Sequence, residues 1–298
     1  MEKNNKFLIA GIGEILWDLL PSGKVLGGAP SNFTFHCNSL GNKTAIISAI
    51  GKDELGVDII YNLIENGLNT EFIQKTNEYP TSTVGVSVYE KGIPDYNIFE
   101  NVAWDYLEYN DSLDELAKQC DAVCFGSLAQ RSAVSKNTIQ KFLKNTRPDG
   151  LKIFDMNLRQ DFYDEETIDK SLVFCNVLKL NEEELNVLSQ IYGYGSRVYE
   201  YEILKKIKQK FDLRFVALTK GADGSLMMSD RESVFLTPEN VKVVDTVGAG
   251  DAFTAGMAHG ILHGFTLAKT NTFANKLASI ICSTNGATSP GIELLKQN

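Results

Sequence analysis

Short apolar runs alternate along this chain with stretches whose apolar residues recur every three or four positions. Phe7 to Gly11, Thr44 to Ile50, Ala122 to Gly126, Lys152 to Asp155, Val177 to Leu180 and Arg214 to Thr219 read as buried strands. Helices are predicted over Ser31 to Leu40, Asp53 to Glu65, Ser135 to Asn145, Glu165 to Phe174, Glu182 to Ile191 and Glu200 to Phe211. Gly41 and Gly67 end the first two, because glycine takes the left-handed conformation past a helix end without steric cost. Strands alternating with helices of this length imply parallel β-α-β units with helices on both faces of one sheet.

Three regions depart from that alternation. Thr83 to Tyr89 places Val84, Val86 and Val88 on one face, and Tyr96 and Ile98 follow a turn through Gly92 and Pro94. That period of two predicts an antiparallel hairpin covered on one side, a small inserted sheet of the kind that forms a lid. A second hairpin, Ser225 to Leu236, turns at Asp230–Arg231. The last two helices, Ala249 to His263 and Leu267 to Asn285, are small or apolar on most faces and read as well buried.

A chain of 298 residues with 43% apolar and 22% charged residues has the composition of an ordinary globular protein with a large core. Its net charge of −9 argues against nucleic acid or an anionic membrane as partner. The five cysteines form no C-x-x-C pair and read as reduced thiols, and the three histidines are too scattered for a metal cage. Glu14 and Asp18 interrupt the apolar N-terminal run, so neither a signal peptide nor a membrane span is expected; the protein reads as cytoplasmic.

The strongest chemical signal is Asp245 to Asp251, DTVGAGD, where a strand ending in VKVVD is expected to pass through a glycine turn into a helix. Gly248, Ala249 and Gly250 leave backbone N–H groups unobstructed at a helix N-terminus, where the dipole favours an anion. An aspartate beside a bound phosphate is unfavourable unless a hydroxyl lies between them. Asp251 then takes the proton while the N–H groups hold the charge on the transferred phosphoryl. The competing explanation is a capped helix after a tight turn.

A second signal, LGGAPSNFTFH (Leu26 to His36), sets two glycines before a helix whose Asn32 offers both a donor and an acceptor. Rival phosphate motifs are incomplete. GIGEIL lacks the third glycine of a dinucleotide fingerprint, and the Gly-Lys pairs at 23–24 and 51–52 are followed by valine and aspartate.

Gly27-Gly28-Ala29-x-x-Asn32 together with Asp245-Thr246-x-Gly248-Ala249-Gly250-Asp251 resembles the two signatures of the ribokinase-like carbohydrate kinases, phosphofructokinase B type. The resemblance covers essentially the whole chain. It implies a single domain over residues 1–298: a Rossmann-like three-layer α/β/α fold with a mostly parallel central sheet. A β lid would be built from about 14–26 and 82–102. It implies ATP as phosphoryl donor, with Mg2+, and Asp251 as general base. Gly248, Ala249 and Gly250 would form the anion hole, with Arg159 of DMNLR near the transferring phosphate. Asp18, Gly28 and Asn32 would bind the sugar. Asn181 and Glu184 match an N-x-x-E element that helps to hold magnesium, partly through water. Thr219, Gly221 and Gly224 would line the nucleotide, and Asn275 would lie beside the adenine. Carbonyls around Asp245 and Val247, with the loop Asn285 to Ser289, resemble a monovalent-cation site, so K+ is a further candidate. Relatives often dimerise through the lid, a course open to this chain also.

GEILWDLLPSGKVLGGAPSNFTFH, ENVAWD (Glu100 to Asp105) and FGSLAQRS (Phe125 to Ser132) look most like the fructokinase branch. The predicted lid hairpin offers only Lys91 as a cation against Glu90, Asp95 and Glu100, which disfavours a substrate already carrying phosphate. Kinases of ribose, a nucleoside or 2-keto-3-deoxygluconate remain alternatives. So do a non-catalytic sugar-binding regulator and, more remotely, a hydride-transfer enzyme.

Overall fold

The computed structural model describes residues 6–20, 23–88, 94–195, 198–239 and 241–288. Its strands, in chain order, are β1 (Leu8–Ile12), β2 (Leu16–Leu20), β3 (Gly23–Gly27), β4 (Lys43–Gly51), β5 (Ile73–Thr76), β6 (Ser82–Val88) and β7 (Pro94–Ile98). There follow β8 (Ala122–Phe125), β9 (Leu151–Asp155), β10 (Val177–Asn181), β11 (Phe215–Thr219), β12 (Ser225–Met228) and β13 (Ser233–Leu236). The helices are α1 (Ala29–Ser39), α2 (Glu54–Glu65), α3 (Asp111–Gln119), α4 (Ala133–Asn145), α5 (Glu165–Phe174), α6 (Glu182–Ile191), α7 (Glu200–Lys210), α8 (Ala249–Leu262) and α9 (Leu267–Cys282).

The large sheet runs β13-β12-β11-β10-β9-β8-β1-β4-β5. From β11 to β5 every pairing is parallel, and the β12–β13 hairpin adds two antiparallel strands at one end. Successive residues of the central strands enter opposite cores. Ile9, Ile153 and Val177 pack under α1, α2, α8 and α9, whereas Ala10, Phe154 and Leu178 pack under α3 to α7. The three-layer α/β/α arrangement follows. A parallel sheet reads as continuous apolar runs because both of its faces are covered.

The remaining strands form a separate sheet in the order β3-β2-β6-β7. β2–β3 and β6–β7 are antiparallel, but β2 and β6 run parallel. The predicted hairpin is therefore half of a four-stranded sheet. Its expected turn residues Lys91 and Gly92 lie outside the described residues, as do Tyr89 and Glu90.

One predicted strand is absent. Val241 to Asp245 forms no strand, and Val241, Val243 and Val244 are 40%, 60% and 50% exposed. Its Val244 and Asp245 N–H groups both bond to the Cys282 carbonyl at the end of α9, so a helix end takes the donors that a sheet edge would have used. The last helix correspondingly stops at Cys282, short of Asn285. Two elements carry no clear pattern in the sequence: the edge strand β5, IQKT, and α3, whose buried stripe is only Leu113, Leu116 and Ala117.

Strand order reverses between β1 and β8: the chain continues from β1 to β4 and β5 on one side, then returns to β8 on the other. In open α/β sheets the crevice beyond the C-terminal ends of the strands at such a switch is where ligands bind.

Candidate active site

A small pocket lies at that switch, lined by Pro30 and Phe33 of α1, Phe125 at the end of β8, Gly126, Asp155 and Asp251. The two glycine-rich segments meet across it. Asn32 Nδ2 donates to Asp251 Oδ2 at 2.9 Å, joining residues 219 apart in sequence. Gly28 makes the approach feasible. Its φ is +106°, and a Cβ there would fall 2.4 Å from the Glu14 carbonyl oxygen. Asn32 is buried, and its Oδ1 finds no partner among the described residues, so an acceptor stays available beside Asp251.

Gly248 caps α8 with φ +77°, and a side chain there would collide with Ala287, whose Cβ would be 2.5 Å away. Asp251, in the first turn, makes no hydrogen bond that caps its own helix. Its carboxylate instead accepts from Asn32. The first-turn N–H groups of α8 have no intrahelical acceptor, as at any helix start.

Sequence reasoning missed what lies beneath this turn. Lys179 of β10 faces the same layer as Val177 and bonds Asp155 Oδ1 at 2.9 Å, both side chains nearly buried. Thr254 of α8 donates to the other Asp155 oxygen at 2.8 Å. A Cβ on Gly250 would stand 3.0 Å from Lys179 Nζ, so this ammonium underlies the expected anion hole. The available signal was a lysine inside the apolar run VLKLN, costly to bury without a partner.

Burial pushes three carboxyls near the two glycine-rich segments towards the protonated form. Burial, then the neighbouring Asp155 charge, lifts the Asp251 pKa to about 7, against the lowering effects of Asn32, Lys179 and Arg159. Burial also raises Glu14 to about 7 and Asp18 to about 6. The Arg159 charge reaches all three carboxyls. Arg159 itself is exposed and makes no ion pair among the described residues. Gly27 leaves room for Asp18, whose Oδ2 would be 2.4 Å from a Cβ at that position.

Asn181 and Glu184 form a reciprocal cap on α6. Asn181 Oδ1 accepts from Glu184 N, and Glu184 Oε2 accepts from Asn181 N at 2.8 Å. Glu184 Oε1 also accepts from Leu158 N at 3.0 Å, which ties down the loop carrying Arg159. Burial is the main cause of a raised Glu184 pKa.

The other predicted positions lie at the end of β11, in the turn into β12, on α9 and at the entrance to α8. Thr219 donates to the Leu180 carbonyl, and Gly221, with φ +55°, faces open space. Gly224 is required by the fold, because a Cβ would sit 2.0 Å from the Leu236 carbonyl oxygen. Asn275 is buried, and its amide donates to Ser225 Oγ and the Asn271 carbonyl. Asp245 accepts from the backbone N–H groups of Val247 and Gly286, at 3.0 and 3.1 Å, so the two segments expected at a monovalent-cation site are clamped together. Ser289 of that loop lies outside the described residues. No helix among the described residues is long and apolar enough to cross a membrane.

The model of the pfkB family carbohydrate kinases matches residues 22–294. A protein of Pyrococcus horikoshii described as an uncharacterized sugar kinase is 30% identical over 300 residues, covering 94% of this chain and 91% of the relative. Its crystal structure superposes with a TM-score of 0.82 over 97% of each chain, and it has also been solved in complex with ATP. A fructokinase of Salmonella typhimurium is 28% identical over 93% of each chain. An ATP-dependent 6-phosphofructokinase of Thermoanaerobacterium thermosaccharolyticum is 27% identical over 90% of this chain and 85% of its own. With this match over nearly its full length, on the fold and pocket already described, the chain belongs to the pfkB family and is an ATP-dependent carbohydrate kinase.

Proposed function

We propose that the enzyme transfers the γ-phosphate of ATP to a hydroxyl of a free sugar, fructose foremost, with Asp251 as the general base. The observation that carries this reading is the 2.9 Å contact between Asn32 and Asp251 at the glycine-flanked entrance to α8. A hydroxyl held there meets a proton acceptor and, beyond it, backbone N–H groups suited to a phosphoryl group. Asp18, Gly28 and Asn32 bind the sugar, and the four-stranded sheet closes over it as a lid, limiting access of water to the phosphoryl group.

Asp251 removes the hydroxyl proton as the oxygen attacks. Gly248, Ala249 and Gly250 orient N–H groups towards the moving phosphoryl, and Arg159 adds a fixed positive charge. Lys179, beneath Gly250, contributes positive potential from the sheet side. Thr219, Gly221 and Gly224 flank the nucleotide, and Asn275 supports the adenine side from its buried network. Magnesium neutralises phosphate charge when bound with ATP. The donors here suit an ion held mainly by phosphates and water, because Glu184 offers a single carboxylate, each oxygen of which already accepts one backbone N–H. Carbonyls near Asp245 and Val247 are the candidate K+ ligands.

The fructose assignment is supported by the Salmonella fructokinase. A coupled ADP-release assay over fructose, fructose 6-phosphate, ribose, nucleosides and 2-keto-3-deoxygluconate tests it. Fructose should give the highest kcat/KM. A preference for fructose 6-phosphate, or for any of the others, would replace fructose as the substrate.

A further inference from the structure

Asp155 ends β9, is buried, and lines the small pocket together with Asp251. Its two oxygens are held from different elements. Oδ1 accepts from Lys179 Nζ of β10 at 2.9 Å, and Oδ2 accepts from the Thr254 hydroxyl of α8 at 2.8 Å. The Thr254 oxygen also lies 3.0 Å from the carbonyl of Gly250, the residue before Asp251. Lys179 Nζ stands 3.0 Å from the point that a Cβ on Gly250 would occupy. Among the described residues, nothing else outside the chain neighbours and the helix backbone comes within 4 Å of that point. Both side chains that approach Gly250 are thus held by one carboxylate.

No side chain caps α8, and glycine at 248 and 250 leaves the backbone of this turn free to adopt many conformations. The direction of its N–H groups has to be imposed from elsewhere. A buried ion pair does this, because separating either partner leaves an uncompensated charge and is strongly unfavourable. The flexible lysine stem is thereby kept in one position. Thr254 has a single hydroxyl proton, and a carboxylate is the stronger acceptor, so Asp155 draws α8 towards the sheet. At a reacting centre, a displacement of about 1 Å can lower the rate about 10²-fold.

Resting on the reading of Asp251 and the Gly248–Gly250 turn given above, we infer that Asp155 is a positioning residue for phosphoryl transfer. It fixes the Lys179 ammonium beneath Gly250 and, through Thr254, seats the first turn of α8, which carries Asp251. It acts through these two partners rather than on the sugar.

Asp155→Asn tests this, since the amide offers one acceptor where Lys179 and Thr254 require two. The assay uses whichever sugar the wild type phosphorylates fastest, at about pH 8, where Asp251 is mostly ionised. kcat should fall about 10–100-fold, the scale of a lost hydrogen bond to a charged group. KM for the sugar and for ATP should stay within about threefold, as expected for an interaction that matters only in the transition state. The double variant Asp155→Asn with Lys179→Gln separates positioning from folding. Its two amides can pair with each other and with Thr254, so no buried charge is left over. Its melting temperature should return to within a few degrees of wild type. Its kcat should nevertheless stay at least about 10-fold down, because no cation remains beneath Gly250. If kcat recovers together with stability, the pair serves folding alone and the inference is wrong. A wild-type kcat in Asp155→Asn would overturn it directly, as would failure of both variants to fold. Asp251→Asn, assayed in parallel, keeps the two readings apart: near-normal turnover there would dismiss the base and leave the Asp155 result to stand.

Discussion

At the residue scale, catalysis turns on the protonation of one carboxyl. Asp251 must be ionised to accept a proton, and burial beside Asp155 raises its pKa to about 7. The kcat/KM profile should therefore climb with pH up to about 7 and then level off. Asp155→Asn removes the like charge, lowers the Asp251 pKa and should move that limb to lower pH. An unmoved limb would mean that another group controls it. Asp251→Asn should reduce kcat by about 10²–10⁴-fold, the usual contribution of a positioned base. Sugar affinity, measured by equilibrium titration, should change little, because the amide oxygen introduced by that substitution can still accept from Asn32. Near-normal turnover in that variant would dismiss Asp251 as the base.

Individual elements matter here through their ends. The α8 entrance needs glycine at 248, where the left-handed φ of +77° and the nearby Ala287 both exclude a side chain. Gly248→Ala should cost roughly 1–2 kcal/mol for the conformation alone, plus the strain of displacing Ala287. A lower melting temperature and a lower kcat are expected together. A variant of wild-type stability would show that the turn relaxes easily. On β10, Lys179→Met leaves Asp155 buried without its cation and should destabilise the fold by about 3–5 kcal/mol in denaturant titration. At the start of α6, Glu184 joins a helix cap to the loop that holds Arg159. That loop bends through left-handed Asn157 and Gln160, at φ +42° and +47°, which a single anchored N–H helps to maintain.

For the whole molecule, three carboxyls, Glu14, Asp18 and Asp251, have folded-state pKa values that exceed their ordinary ones. Between about pH 4 and 7 these three groups bind more protons folded than unfolded, so their own contribution to stability falls as pH rises, whereas His36 and His259, lowered to about 4 by burial, contribute in the opposite sense. Asp251→Asn should melt at the same temperature as wild type near pH 4 and at a higher one at pH 8, by scanning calorimetry without ligands. An equal melting temperature at both values would mean that the Asp251 charge is well solvated. The crowding of negative charge around Asp251 is relieved by Arg159 and Lys179, so its pocket is locally less acidic than the net charge of −9 suggests.

By itself the sequence determined the layered fold and the two glycine-rich segments. Buried parallel strands must be apolar throughout, surface helices must repeat every 3.6 residues, and Gly28 and Gly248 occupy left-handed positions that only glycine fills without strain. It misled at VKVVD, because whether alternating valines pair in a sheet depends on a vacant neighbour, and here Cys282 takes the N–H groups instead. Only the tertiary structure decided that Asn32 touches Asp251 and that Lys179 lies under Gly250. Those relations join residues far apart in the chain. Periodicity registers which face a side chain takes, whereas the partner it meets there depends on how the sheet and the helices pack.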